Sequence, residues 1–431
     1  MRIEVLNTES KAALKETLRK RSTNSFDEQE KIVKGIVEDI KGRGDEALFE
    51  YTRKFDGFDI NSSNIRCTEK EIEDALKQIE PEFLDVLKKS AENIRLFHEK
   101  QMRISWMEPK EDGTILGQKF TPIETVGVYV PGGKAAYPSS LLMNVIPAKV
   151  AGVPNIIMVT PPNKEGVIPA QTLAAAKVAG VTEIYKVGGA QAIAALAFGT
   201  KSVPKADKIC GPGNIFVALA KKSVYGQVSI DSIAGPSEIL VLSDGSTNPR
   251  YAAADLLSQA EHDENASAIM ITTSMDFAKK VSEEVDKFTE ILERKEIIRK
   301  SLDNFGYIFV ADNEEMLFEA ANDIASEHVE ILMANPFEAM TKVKNAGAIF
   351  LGEYSSEPLG DYYAGPDHIL PTNGTAKFFS PLNVDDFLKK TSIIYYSKSA
   401  LEKAHNDIEL FAKKEGLTAH ANSIAVRFDN K

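Results

Sequence analysis

Cysteine is nearly absent from this chain: 431 residues hold two, Cys67 and Cys210. Two thiols cannot build a disulfide framework or a cysteine-based zinc site. Nor is there a lysine/arginine block dense enough to follow a phosphate backbone, and the net charge is −12. Nucleic acid is therefore set aside as a partner. No stretch approaches the ~18 uninterrupted apolar residues of a membrane span. The opening Met1-Arg-Ile-Glu-Val-Leu-Asn-Thr-Glu9 has no apolar run. Mature protein rather than signal peptide is expected there, and a cytoplasmic compartment fits the scarce cysteine. Two phosphate-binding signatures are missing as well. No G-x-G-x-x-G is followed by an acidic residue about 20 positions on, and no Walker A motif occurs.

What remains is ordinary globular composition, with 43% hydrophobic and 26% charged residues. Length alone suggests about two to four domains. Residues 1 to 120 read as mainly helical and charged, because segments such as Glu28 to Thr52 and Glu69 to Glu99 space apolar residues three and four apart. The composition changes near residue 122. Val126–Val130, Ile156–Thr160, Ile184–Val187, Ile239–Leu242, Ala268–Thr272, Tyr307–Val310 and Ala348–Leu351 read as strands. Small-residue helices such as Ala170 to Ala179 and Ala190 to Phe198 separate them, which predicts an α/β fold with mostly parallel sheets. Glycine-rich segments punctuate the joins: Pro131-Gly-Gly133, Gly188-Gly189, Gly211-Pro-Gly-Asn214 and Gly235-Pro-Ser-Glu238. In parallel sheets ligands gather at the carboxyl ends of strands, where such loops are expected. Past residue 382 the chain returns to charged helix, too short for a core of its own.

Histidine is scarce too, and its placement carries the chemistry. Of six, four fall in compact polar segments: Gln259-Ala-Glu-His262, Ser326-Glu-His328, Gly360-Asp361…Asp367-His368 and Glu415-Gly-Leu-Thr-Ala-His420. His98 and His405 sit among lysines and glutamates and are expected to face solvent. Imidazole, carboxylate and amide oxygen can ligate zinc and handle protons near neutral pH. Gln259 and His262, three apart on an expected helix over Asp255 to Glu261, share a face. Adding Asp361 and His420 gives two nitrogens, two oxygens and one negative charge, under which zinc stays electrophilic. Glu327-His328 suits a general base and a water-activating carboxylate if the segment is a turn. A histidine meeting a helix C-terminus reads the same residues equally well. Cys210 admits a thiolate nucleophile or a buried, inert thiol. Ser237 lacks the G-x-S-x-G elbow of serine hydrolases.

Taken together these segments closely resemble the histidinol dehydrogenase family. The resemblance runs over nearly the whole chain and rests on Gly127-Val-Tyr-Val-Pro-Gly-Gly133, Gly211-Pro-Gly-Asn214, Ile233-Ala-Gly-Pro-Ser-Glu238, Leu257-Ser-Gln-Ala-Glu-His262, Ser326-Glu-His328, Leu359 to Thr372 and Glu415 to His420. It implies zinc-dependent oxidation of L-histidinol to L-histidine through the aldehyde, with two NAD⁺ reduced. It assigns zinc to Gln259, His262, Asp361 and His420. Substrate would meet those four with Ser237, His328 and Glu415. Glu327 and His328 would accept protons, and Tyr129, Gln191 and Asn214 would contact NAD. The implied fold is two incomplete Rossmann-like parallel-sheet domains with small, mainly helical terminal domains, in a homodimer with shared active sites. Its parts would be residues 1–24, 25–125 with 238–381, 126–237 for NAD, and 382–431 reaching the partner subunit's site. Ser232, Cys210 and Asp367 depart from the pattern, which has methionine, often an aromatic residue, and asparagine there. A zinc-dependent hydrolase using the same ligands, and a non-catalytic binding protein, are the competing functions.

Overall fold

Short β-branched runs form the strands in the computed structural model, which describes residues 1–22, 26–132, 137–233 and 235–428. Gly133, from the first glycine segment, and Ala234, from the Ile233–Glu238 motif, lie outside the described residues, as do both residues flanking the 24/25 boundary. In chain order the strands are β1 (Arg2–Val5), β2 (Trp106–Pro109), β3 (Ile115–Pro122), β4 (Thr125–Tyr129), β5 (Asn155–Val159), β6 (Glu183–Tyr185) and β7 (Lys208–Cys210). They continue as β8 (Ser229–Ile230), β9 (Glu238–Ser243), β10 (Ser267–Thr272), β11 (Gly306–Val310), β12 (His328–Leu332), β13 (Ala348–Leu351) and β14 (Leu388–Tyr395). The chain forms two compact units, Met1–Gln101 with Glu124–Phe387, and Met102–Ile123 with Leu388–Lys431.

The first unit holds two all-parallel sheets, ordered β1-β11-β10-β9-β12-β13 and β6-β5-β4-β7-β8. Helices cover both faces of the larger sheet, so its strands are continuous apolar runs rather than alternating ones. Alternate residues of one strand feed opposite cores. Ile239 and Val241 pack with Leu256 and Val281, while Leu240 and Leu242 pack with Leu14 and Leu317. Beside the smaller sheet, Val33, Ile36, Val37 and Ile40 of the helix Asp27–Arg43 share a core with Ile193 and Leu196. Residues 33–65, grouped by the resemblance with 238–381, thus contribute to the core of the five-stranded sheet.

Three expectations for the first 120 residues need correction. Arg2–Val5 is a strand, in parallel register with Tyr307–Val310; four residues are too few for a helical or strand period to stand out. Residues 106–122 form the β2–β3 pair. His98 does not face solvent. It is fully buried, its Nδ1 lies 2.8 Å from the Ile94 carbonyl, and its Nε2 is 3.7 Å from the Asp367 carboxylate.

The second unit is an antiparallel sheet ordered β14-β3-β2 with the helices Lys398–Lys414 and Thr418–Ala425. Ser397 caps the first of these, its hydroxyl accepting from the Ala400 amide at 3.0 Å. The C-terminal segment therefore has a core partner that its length did not reveal, the β3 strand paired along all of β14. Among the described residues no helix is long and apolar enough to cross a membrane.

Candidate active site

In the first unit a cavity of about 940 Å³ is lined from both sheets. Tyr129 ends β4, Gly189 and Gln191 lie in the first turn of the helix Gly189–Phe198 that follows β6, and Gly211 to Asn214 form the turn after β7. These are carboxyl ends, as expected. The six-stranded sheet differs, because it offers its amino ends. Ser237 immediately precedes β9, Gln259 and His262 precede β10, and Glu327-His328 opens β12.

Gln259 lies in the last turn of the helix Pro249–Ala260, and His262 lies just beyond its C-cap Glu261. The expected helix thus ends before His262, although the His262 amide still bonds to the Gln259 carbonyl at 3.1 Å. His262 Nδ1 is 3.0 Å from the Ser258 carbonyl. A carbonyl only accepts, so Nδ1 carries the proton and Nε2 keeps its lone pair for a ligand.

The chain turns just before the Glu327-His328 pair rather than through it, and His328 is already the first residue of β12. Ala325 caps the helix Glu314–Ile324 in the left-handed conformation (φ 51°), and both following site residues are buried. Glu238, the first residue of β9, holds them. Its amide donates to Glu327 Oε2 at 2.9 Å, its Oε2 accepts from the Glu327 amide at 3.3 Å, and its carbonyl accepts from His328 Nδ1 at 2.9 Å. His328 Nε2 is buried and has no hydrogen-bond partner within the described protein. Burial lowers the His328 pKa to about 4, with Asp361 opposing and the imidazoles of His368 and His262 adding to it. The imidazole is therefore neutral at pH 7. The same burial, reinforced by Asp361 and Glu357, raises Glu327 well above an ordinary carboxyl.

Asp361 faces this pair. Burial alone would raise it, but hydrogen bonding and charge from His368, 3.4 Å away, bring it down to about 2. Glu357 was not in the sequence-based set. It is buried, accepts from Ser258 Oγ at 3.1 Å, and is pushed up to about 8 by burial and by the nearby Asp361. Ligand atoms of His328, Glu357 and Asp361 lie within 4.8 Å of one another. The spacing Glu357-Pro-Leu-Gly-Asp361 is the signal that could have found it, since residues four apart share a helical face. Of the expected zinc ligands, Gln259, His262 and Asp361 line the same cavity, and their nitrogen and oxygen donors suit a zinc ion.

Tyr129, Gln191 and Asn214 all line the cavity. The Tyr129 hydroxyl accepts from the Gly189 amide at 3.2 Å, and burial pushes its pKa up to about 12. Asn214 Oδ1 caps the helix Ile215–Val224, accepting at 3.1 and 3.2 Å, which leaves its Nδ2 for a ligand. Gly211 lets the loop run against Tyr129: a Cβ there would collide with the Tyr129 carbonyl. Glu415 and His420 belong to the second unit and are exposed, Glu415 as the C-cap of the helix Lys398–Lys414 and His420 in the helix Thr418–Ala425.

Of the departures, Ser232 lines the cavity. Asp367 is buried, with burial raising its carboxyl well above the usual range and Oδ1 accepting from the Ile369 amide at 2.8 Å. Cys210 is fully buried and its thiol pKa is raised, first by that burial and then by Asp231. Burial likewise pushes Cys67 up to about 12. Neither is a thiolate at neutral pH. Cys67→Ser with Cys210→Ser should keep turnover within about tenfold of the parent. Loss of many orders of magnitude in a folded double variant would restore the thiolate mechanism.

A family model described as histidinol dehydrogenase matches residues 19–428. A histidinol dehydrogenase of Halalkalibacterium halodurans is 56% identical over 405 residues, covering 94% of this chain and 95% of that protein. Another, from Listeria innocua, is 52% identical over 429 residues, covering 100% of both. The crystal structure of the Elizabethkingia anophelis histidinol dehydrogenase matches with a TM-score of 0.94 at 36% identity, over 99% of this chain and 98% of that one. Two parallel sheets lining one cavity, with these matches, define an α/β oxidoreductase. The chain belongs to the histidinol dehydrogenase family.

Proposed function

We propose that this chain oxidises L-histidinol to L-histidine through L-histidinaldehyde, reducing two NAD⁺, at a zinc-dependent site. The observation that carries the reading is the Glu238 carbonyl against His328 Nδ1, which leaves a neutral, unpartnered Nε2 among cavity residues. An imidazole fixed in that tautomer accepts a proton at Nε2. His328 takes the hydroxyl proton as hydride leaves the alcohol carbon. In the second oxidation Glu327 removes a proton from the water that adds to the aldehyde. Gln259, His262, Asp361 and His420 would hold the zinc, with Ser237, His328 and Glu415 joining them around the substrate. Tyr129, Gln191 and Asn214 would contact NAD. When bound, zinc supplies a Lewis acid for the substrate's polar groups and NAD⁺ an acceptor for hydride.

The proposed assembly is a cytoplasmic homodimer in which residues 382–431 complete the partner's site. Its support is the exposed apolar surface of the second unit, including Trp106, Met107, Ile394 and Phe411. The function is tested by NADH formation, which should require both histidinol and NAD⁺ and should stop on chelation. Hydrolytic turnover without NADH would favour the zinc hydrolase instead.

A further inference from the structure

Every hydrogen bond described above for the Glu327-His328 pair ends on Glu238, and Glu238 in turn ends on a cation from far away in the sequence. Arg21, near the end of the helix Thr8–Ser22, is buried and donates to Glu238 Oε1 across 217 positions. The same guanidinium reaches the Asn265 carbonyl and Asn373 Oδ1, each at 3.3 Å. Glu238 Oε1 also accepts from the Asn373 amide at 3.0 Å. Arg21 is not among the cavity-lining residues and so does not meet substrate.

A carboxylate this deeply buried is costly unless a charge partner and hydrogen bonds compensate it. Arg21 supplies the charge through Nη2, and its guanidinium plane, held by the Asn265 carbonyl on Nη1 and by Asn373 Oδ1, fixes where Glu238 Oε1 can sit. Burial lowers the Arg21 pKa only to about 10, so the cation persists at neutral pH. Remove it, and Glu238 keeps only the Asn373 amide on Oε1 and loses its charge partner, while its Oε2 still bonds the Glu327 amide.

We propose that Arg21 is a positioning residue for the oxidation, acting through Glu238 to fix the orientation of Glu327 and His328. This rests on the reading of that pair as the proton acceptors. Its test is Arg21→Met beside Arg21→Lys, with zinc content and steady-state kinetics measured on both. Outer-shell changes of this kind lower turnover by roughly 10- to 100-fold. The expected result for Arg21→Met is that loss in kcat, with KM for histidinol and for NAD⁺ held within about threefold and zinc unchanged. Arg21→Lys, which keeps the charge and loses the guanidinium plane, should recover part of the loss. A folded Arg21→Met enzyme with parental kcat overturns the proposal, and so does a lysine variant no better than methionine. If Arg21→Met does not fold, Arg21→Lys decides alone: lowered kcat at constant KM supports the role, and parental kcat overturns it. Glu327→Gln run in parallel separates the two layers. Its full activity would fell the acid–base reading and this proposal together, whereas a crippled Glu327→Gln beside an unimpaired Arg21→Met fells only the role of Arg21.

Discussion

A His262→Ala chain should lose zinc and turnover together, by more than the ~10²-fold ceiling of an outer-shell change. The imidazole is prepared for ligation, since the Ser258 carbonyl fixes the proton on Nδ1 and leaves Nε2 available. His420→Ala should be equally inactive for a different reason. His420 and Glu415 stand exposed in the second unit, beside exposed Phe411 and Leu417. If that surface completes a neighbour's site, the two dead chains complement one another. Random subunit exchange makes about half the dimers mixed, and each mixed dimer has one intact site of two, so roughly one quarter of the parental activity should return. The measurement is NADH formation before and after exchange, with mixed dimers isolated by differently tagged chains. Mixed dimers that form and stay inactive would remove the shared site, and an active, stable monomer would do the same.

The sequence was most legible where a run was long and apolar. Ile239–Leu242 and Ala268–Thr272 read as strands because both faces of the larger sheet are covered, and both are strands. Elements whose stability comes wholly from distant partners were illegible. β1 is four residues held by β11, some 300 positions away, and β14 exists through its pairing with β3. The site divides the same way. Ser237, Gln259, His262, Glu327, His328 and Asp361 stand in motifs with chemical character, and all line the cavity. Glu357 and Glu238 were missed as participants, because a lone glutamate in sequence looks like surface. Only burial against Asp361 and against Glu327 makes them part of the chemistry. His98 failed for the opposite reason. Its lysine and glutamate neighbours describe the exposed face of the helix Pro81–Glu99, while its own side chain points inward beside Asp367.

Replacing His328 by asparagine should depress histidinol oxidation by on the order of 10²–10⁴, the usual loss on removing a general base. Glu327→Gln should instead slow oxidation of histidinal more than that of histidinol. The alcohol needs only its hydroxyl proton removed, which Nε2 of a neutral imidazole accepts. The aldehyde must first gain a water, and a buried carboxyl raised above its ordinary value is a better base toward that water than a surface glutamate. The pH dependence follows from the same burial. With its pKa lowered from 6.5 to about 4, His328 stays unprotonated as the pH falls through the ordinary histidine value. It binds fewer protons than the unfolded chain over that interval, so its contribution to stability is full above 6.5 and declines as the pH falls toward 4. The rate of the first oxidation should accordingly show no step centred on 6.5 that His328→Asn abolishes. Single-turnover NADH formation from each substrate, with each zinc-loaded variant, makes the comparison. Equal damage to both half-reactions by Glu327→Gln would mean that this carboxyl orients His328 for the whole sequence, and the two residues would then act as one base.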